Sequence, residues 1–165
     1  MNIEADQLSL TDLLKNPVLF LAFGFGSGLA PKAPGTFGTL AAIPIYLLVS
    51  LGNPVVYGIV LVATLVGGVF ICDKASEMLG VHDHGGIVWD EIAGFLITMM
   101  AVPFSWQAIA IGFVLFRLFD IWKPWPISVI DKHVAGGFGI MLDDVIAGVF
   151  ALACISALQA SMVLI

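Results

Sequence analysis

The sequence predicts an all-α integral membrane protein: a compact bundle of about four to five transmembrane helices plus a re-entrant or interfacial N-terminal segment. Three observations predict it. Of the 165 residues, 60% are hydrophobic and 11% are charged, where a soluble domain carries roughly a quarter charged residues. Mean hydropathy is +1.08. The charges also leave four windows empty, at residues 16–31, 33–72, 92–116 and 145–165. A spanning helix needs about 20 mostly apolar residues. The length fits one membrane-embedded domain, 1–165, in which 1–16 is a cytoplasmic tail or amphipathic segment.

The elements follow in chain order. Residues 17–30 are short and glycine-rich, so they read as a re-entrant or interfacial piece. The window 33–72 is too long for one span and breaks at Leu51-Gly52-Asn53-Pro54, a turn signal. Two helices result, near 37–51 and 54–72. A third runs over about 87–102 and stops at Pro103. A fourth covers 106–122, before Pro124, and a fifth covers 143–164. The N-terminus is acidic (Glu4, Asp6, Asp12), with no basic region ahead of the first apolar run, so no cleavable signal is expected. Cys72 and Cys154 sit in apolar runs and read as buried spacers.

Threaded through a bilayer, these helices bring every charge to or near one face. The far turns, 51–54 and 103–105, carry none. All six Lys and Arg lie on the charged face, which the positive-inside rule makes cytoplasmic. The net charge of −6 and pI near 4.6 argue against a nucleic-acid footprint.

The charged face carries three clusters. In HDHGGIVWDE, residues 82–91, His82, Asp83 and His84 precede Asp90 and Glu91. FRLFDIWKPWP places Arg117, Asp120 and Lys123 at the foot of the fourth helix. GGFGIMLDD sets Asp143 and Asp144 at the start of the fifth. Adjacent acids suit a helix N-terminus through the macrodipole, but this explains one acid per site better than two. A cation bridging the pairs relieves their repulsion, and oxygen-only ligands select Mg²⁺, Mn²⁺ or Ca²⁺. Arg117 and Asp120 form an ordinary i,i+3 pair, while a buried arginine also suits a phosphate. HDH is a polar loop, a source of metal ligands or a general base. The run GFGSGLAPKAPGTFGTLAA, with Ser27, Lys32 and Thr36, is a helix-start anion cradle or a set of small packing residues. It lacks the P-loop order. Metal-binding acids, phosphate-binding cations and an anion loop on one membrane face together suit phosphoryl chemistry on a lipid head group.

The stretches GFGSGLAPKAPGTFGTLAA, VHDHGGIVWDEIAG, FRLFDIWKPWPI and GGFGIMLDDVIAG resemble bacterial phosphatidylglycerophosphatase A and run over about residues 23–148. The resemblance implies a multi-pass inner-membrane phosphatase domain with a cytoplasm-facing site. Its substrate would be phosphatidylglycerophosphate, its products phosphatidylglycerol and phosphate, and its cofactor Mg²⁺. Signatures of covalent routes are missing. Skipping five residues after Cys72 reaches Met78, where a cysteine phosphatase needs arginine, and no D-x-D, K-x6-R-P or S-G-H string suits an aspartyl or histidyl nucleophile. The expectation is direct attack by a metal-bound water, with a covalent aspartyl intermediate as the alternative. Asp90, Glu91, Asp143 and Asp144 would hold Mg²⁺, with Asp120 a further ligand. Arg117, Lys123, Lys32, Thr36 and Ser27 would hold the phosphate. Asp90, Asp143, His84 and His82 are the candidates for proton chemistry. An ion or proton transporter would need ionisable groups at mid-helix depth, and the helix centres have none. A CDP-alcohol phosphotransferase would show D-G-x2-A-R, which is missing.

Overall fold

A computed structural model describes residues 8–161. Residues 1–7, with Glu4 and Asp6, and 162–165, the end of the fifth expected helix, lie outside the described residues. The described residues form eight α-helices and one 3₁₀ segment, with no strand among them.

The chain enters through two short helices, α1 (Leu10–Lys15) and α2 (Pro17–Ala22). Ser9 and Asp12 form a capping box on α1. Asn16 closes α1 and opens α2, its Oδ1 accepting from the N–H groups of Val18 and Leu19. The 3₁₀ segment Gly24–Leu29 kinks at Phe25 and Gly26, both at positive φ. Residues 17–30 are therefore two short pieces folded against the bundle, as their glycines predict, and neither is long enough to span.

Then come α3 (Pro34–Ser50), α4 (Pro54–Leu79), α5 (Trp89–Met99), α6 (Trp106–Trp122), α7 (Ile127–His133) and α8 (Gly136–Ala160). Asn53 caps α4 and Ser105 caps α6, each by accepting backbone N–H groups. Two helices, α4 and α8, are long and apolar enough to cross a membrane. At 17 residues each, α3 and α6 are about 25 Å long at 1.5 Å per residue. At 11 residues α5 reaches only about 16 Å, half of a roughly 30 Å hydrocarbon core. Of the expected four to five spans, α4 and α8 thus meet the length and composition for crossing, and α3, α5 and α6 are shorter than a straight span needs.

The reason lies in burial. Nine of the eleven α5 residues are buried, so α5 is the axis of the bundle and does not face lipid. Its uncharged window reflects protein packing on every side. Around it, α8 crosses closely because glycines meet: a Cβ on Gly94 would lie 2.9 Å from the Asp144 carbonyl oxygen, and one on Gly148 would lie 2.5 Å from that of Gly94. Trp89 Nε1 donates to the Thr64 carbonyl at 3.1 Å and the Tyr57 hydroxyl donates to the Leu96 carbonyl at 2.6 Å, tying α5 to α4 at both ends. Tyr46 packs edge-to-face on Phe95. By contrast, α4 exposes Val55, Ile59, Val62, Val66 and Phe70 as one apolar stripe.

The ends sort by polarity. The two far turns share one small cavity, lined by Asn53, Met100 and Phe104 among others. Charged side chains gather at the opposite end, where α3 begins, α4 ends, α5 begins, α6 ends and α8 begins.

Candidate metal and phosphate site

Asp90 and Glu91 lie in the first turn of α5. The preceding loop is held by backbone bonds, from Val88 N–H to the Ala22 carbonyl at 2.8 Å and from Ile87 N–H to the His84 carbonyl at 2.7 Å. Asp143 and Asp144 sit elsewhere than expected. Helix α8 begins at Gly136, seven residues before Asp143, so both acids lie two turns inside the helix. The macrodipole acts within the first turn only, so helix-start stabilisation does not account for them. The early start has a physical cause. Gly136 takes a left-handed φ of +75°. Its N–H donates to His82 Nε2 at 2.9 Å, and the Gly137 N–H donates to Asp73 Oδ1 at 2.8 Å. Two side chains from other parts of the chain thus cap α8. Asp73 itself lies on α4, which runs seven residues past its expected end.

The crossing of α5 and α8 brings Asp90, Glu91 and Asp144 together, with one carboxylate oxygen of each within 4.8 Å of the others. Asp90 is 8% exposed and Asp144 3%. Asp90 Oδ1, Glu91 Oε2 and Asp144 Oδ2 are buried without a hydrogen-bond partner, as is Asp143 Oδ1. Buried carboxylate oxygens left this way are costly. A divalent cation with oxygen bonds of about 2.0–2.6 Å fits the spacing and the donor set.

Cations border the cluster. The Arg117 guanidinium pairs with Asp120 and reaches Glu91 Oε1 at 3.6 Å, while its Nε is buried without a partner. Lys123, in left-handed conformation at the end of α6, bridges Asp131 at 2.5 Å and Asp143 at 2.8 Å. Burial alone would lower its pKa, but the two carboxylates outweigh burial and hold it above the ordinary lysine value. Lys123 is therefore charged at neutral pH and already engaged by two acids.

Of the glycine-rich run, Gly35 meets the cluster. A Cβ there would land on Glu91 Oε1 and come within 3.0 Å of Arg117 Nη1. Thr36 lines a groove beside Arg117. Ser27 and Lys32 are not drawn in: the Ser27 hydroxyl donates to the Phe23 carbonyl at 3.5 Å, and Lys32 is exposed. Each of the two histidines commits one ring nitrogen to a backbone N–H, His82 to Gly136 and His84 Nδ1 to Gly86 at 3.0 Å. Sequence reasoning missed Gly35, Asp73 and Asp131. None of the three carries a local signal that sets it apart: Gly35 is one of 18 glycines, and Asp73 and Asp131 lie outside the three polar clusters.

Comparison with known proteins identifies the family. The pattern of the family described as phosphatidylglycerophosphatase A matches residues 20–159. The chain is 50% identical over 139 residues to the Escherichia coli K12 protein named phosphatidylglycerophosphatase A, covering 84% of this chain and 81% of that protein. A Haemophilus influenzae protein of the same name is 46% identical over 148 residues, covering 88% and 91%. A Bacteroides thetaiotaomicron protein, 38% identical over 144 residues and covering 82% and 88%, is named provisionally as a phosphatidylinositol-3-phosphatase. No solved structure matches. The match spans α2 to α8 and so takes in every acid and cation of the cluster, and on this ground the chain belongs to the phosphatidylglycerophosphatase A family.

Proposed function

We propose that this chain hydrolyses the terminal phosphomonoester of phosphatidylglycerophosphate to phosphatidylglycerol and phosphate. It acts as a Mg²⁺-dependent, multi-pass enzyme of the bacterial inner membrane, with its site on the cytoplasmic face. The observation that carries the reading is the buried triad Asp90, Glu91 and Asp144 with its unpartnered oxygens. Relatives named for this activity support the substrate. The gathering of the charged ends at one pole supports the cytoplasmic placement.

Charge decides the need for a cation. Asp90, Glu91, Asp120, Asp143 and Asp144 face only Arg117 and Lys123, so the cluster repels a phosphate by itself. Asp90, Glu91 and Asp144 would hold Mg²⁺, which supplies Lewis acidity and reverses the local field. Arg117 presents its guanidinium to the phosphoryl oxygens from the α6 side. Gly35 leaves room for that approach by carrying no Cβ. Lys123 fixes Asp143 Oδ2, leaving Oδ1 free to take a proton from the attacking water. As the water oxygen bonds to phosphorus, the P–O bond to glycerol breaks, and the proton that Asp143 took from the water passes to the leaving oxygen. Because His82 and His84 each have a nitrogen occupied by backbone, this geometry favours a positioning role for them over the expected proton shuttle.

The test is phosphate release by the purified full chain in detergent, from phosphatidylglycerophosphate and from phosphatidylinositol 3-phosphate, with Mg²⁺ or with EDTA. Release should require Mg²⁺ and favour the first lipid. Asp144→Asn should lower kcat by about 100-fold or more, the scale of losing one preorganised charge contact. Full activity in EDTA would remove the metal from the reading, and preference for the inositol lipid would change the substrate.

A further inference from the structure

Two open grooves run along the bundle, and they differ in one respect. The groove between α4 and α8, about 290 Å³, is lined by Leu65, Val66, Val69, Phe138, Met141, Leu142 and Val145 and contains no charged residue. The groove formed by α6 with the start of α3, about 380 Å³, is lined by Phe113, Val114, Leu118 and Trp122 but also by Arg117 and Thr36. Its volume falls in the range of roughly 300–1,000 Å³ typical of ligand sites.

We propose that the α3–α6 groove seats an acyl chain of the lipid substrate and so selects a membrane-anchored phosphate over a soluble one. This rests on the activity read above and adds where the apolar half of the substrate lies. Three observations converge. From Phe113 to Trp122 the wall covers ten residues of one helix, about 13 Å along its axis at 1.5 Å per residue, so the groove runs in the direction a lipid chain takes. Trp122, 70% exposed, marks the end where an aromatic side chain suits the head-group level. Arg117 belongs to the groove and to the carboxylate cluster at once: it pairs with Glu91 and Asp120, while its Nε is buried and unpartnered. Thr36 stands opposite. Thr39, Thr64 and Thr98 all spend their hydroxyls on the carbonyl four residues back, while among the described residues the Thr36 hydroxyl has no protein partner. A phosphate at Arg117 thus leaves its glycerol beside Thr36 and a chain along Val114 and Leu118. The α4–α8 groove offers the same apolar wall without a charge at its head, so it serves as an internal comparison.

The experiment measures kcat/KM of the full-length protein in mixed micelles for diacyl phosphatidylglycerophosphate and for its deacylated head group. Val114 is 62% exposed and Leu118 50%, so Val114→Trp and Leu118→Trp fill the groove without touching the core. Leu118→Ala widens it. Val66→Trp fills the other groove. The ratio of kcat/KM for diacyl over deacylated substrate should fall about tenfold in the two tryptophan variants, through KM, because a chain contact is shared by ground and transition states. It should fall less in Leu118→Ala and hold its wild-type value in Val66→Trp. An unchanged ratio in the groove variants overturns the proposal, even if both activities drop together as in a folding defect. Equal falls in Val66→Trp overturn it too, pointing to general lipid contact. Wild-type protein that hydrolyses neither compound overturns the activity reading itself, and the groove assignment with it.

Discussion

A carboxylate oxygen buried with nothing to accept from is the most informative atom in this molecule, and four acids supply one each. Asp90 and Glu91 were legible as candidates because they stand at a helix start and are followed by an uncharged run to Phe116. Asp143 and Asp144 were legible as acids but not in their setting. Their helix begins with Gly136-Gly137, which reads locally as a break, and the caps that allow it come from Asp73 and His82, 64 and 54 positions away. Gly35 was hidden among many glycines. Its role follows only from the contact with Glu91 and Arg117. Gly35→Ala should therefore lower kcat/KM by about 100-fold, the effect of shifting a catalytic group by an ångström or so, with little change in thermal midpoint. Wild-type activity in that variant would show that the first turn of α3 does not hold the site.

At the level of elements, the difference between expectation and structure is one of environment. Uncharged windows report where charges are costly, and the interior of a bundle and the interior of a bilayer look alike on that measure. Hence α5 was expected to run over 87–102 as a span and proves to be an 11-residue buried axis. The same measure ended α4 at Cys72, although Lys74, Ala75, Glu77, Met78 and Leu79 are good helix formers and carry the helix on to Leu79. That extension is functional in consequence, since it delivers Asp73 to the start of α8. Asp73→Ala removes a cap of the kind worth about 1 kcal/mol. In a chain of this size the thermal midpoint should then fall by about 2–4 °C, measured in detergent by circular dichroism. Turnover should fall further than the midpoint accounts for, because Asp143 and Asp144 ride on the same helix. His82→Gln, which keeps an acceptor, should lose less than His82→Ala. Equal activity of both with wild type would separate the cap from the chemistry.

Among the described residues the molecule has one charged pole and one uncharged pole, a division that threading the expected helices already drew from the order of charges along the chain. What the order of charges did not show is that the helices are unequal. On the proposed membrane placement, α4 and α8 are about 39 Å and 38 Å long, while α3 and α6 are about 25 Å. Charges shorten the apolar part of each: α4 is uncharged only as far as Cys72, about 28 Å, α8 only from Val145, about 24 Å, and α6 only as far as Phe116, about 16 Å, so the hydrophobic belt is thinnest on the α6 flank, well under a roughly 30 Å hydrocarbon layer. Lipid meeting the short flank must compress, and compression lowers its head groups toward the protein's middle. That flank carries the groove and Arg117, so the bilayer dips where a phosphate has to descend to reach the acids. Reconstitution in lipids of increasing chain length should then lower kcat/KM progressively at fixed substrate mole fraction. A flat dependence on thickness would mean that the head group reaches Arg117 without help from the membrane's shape.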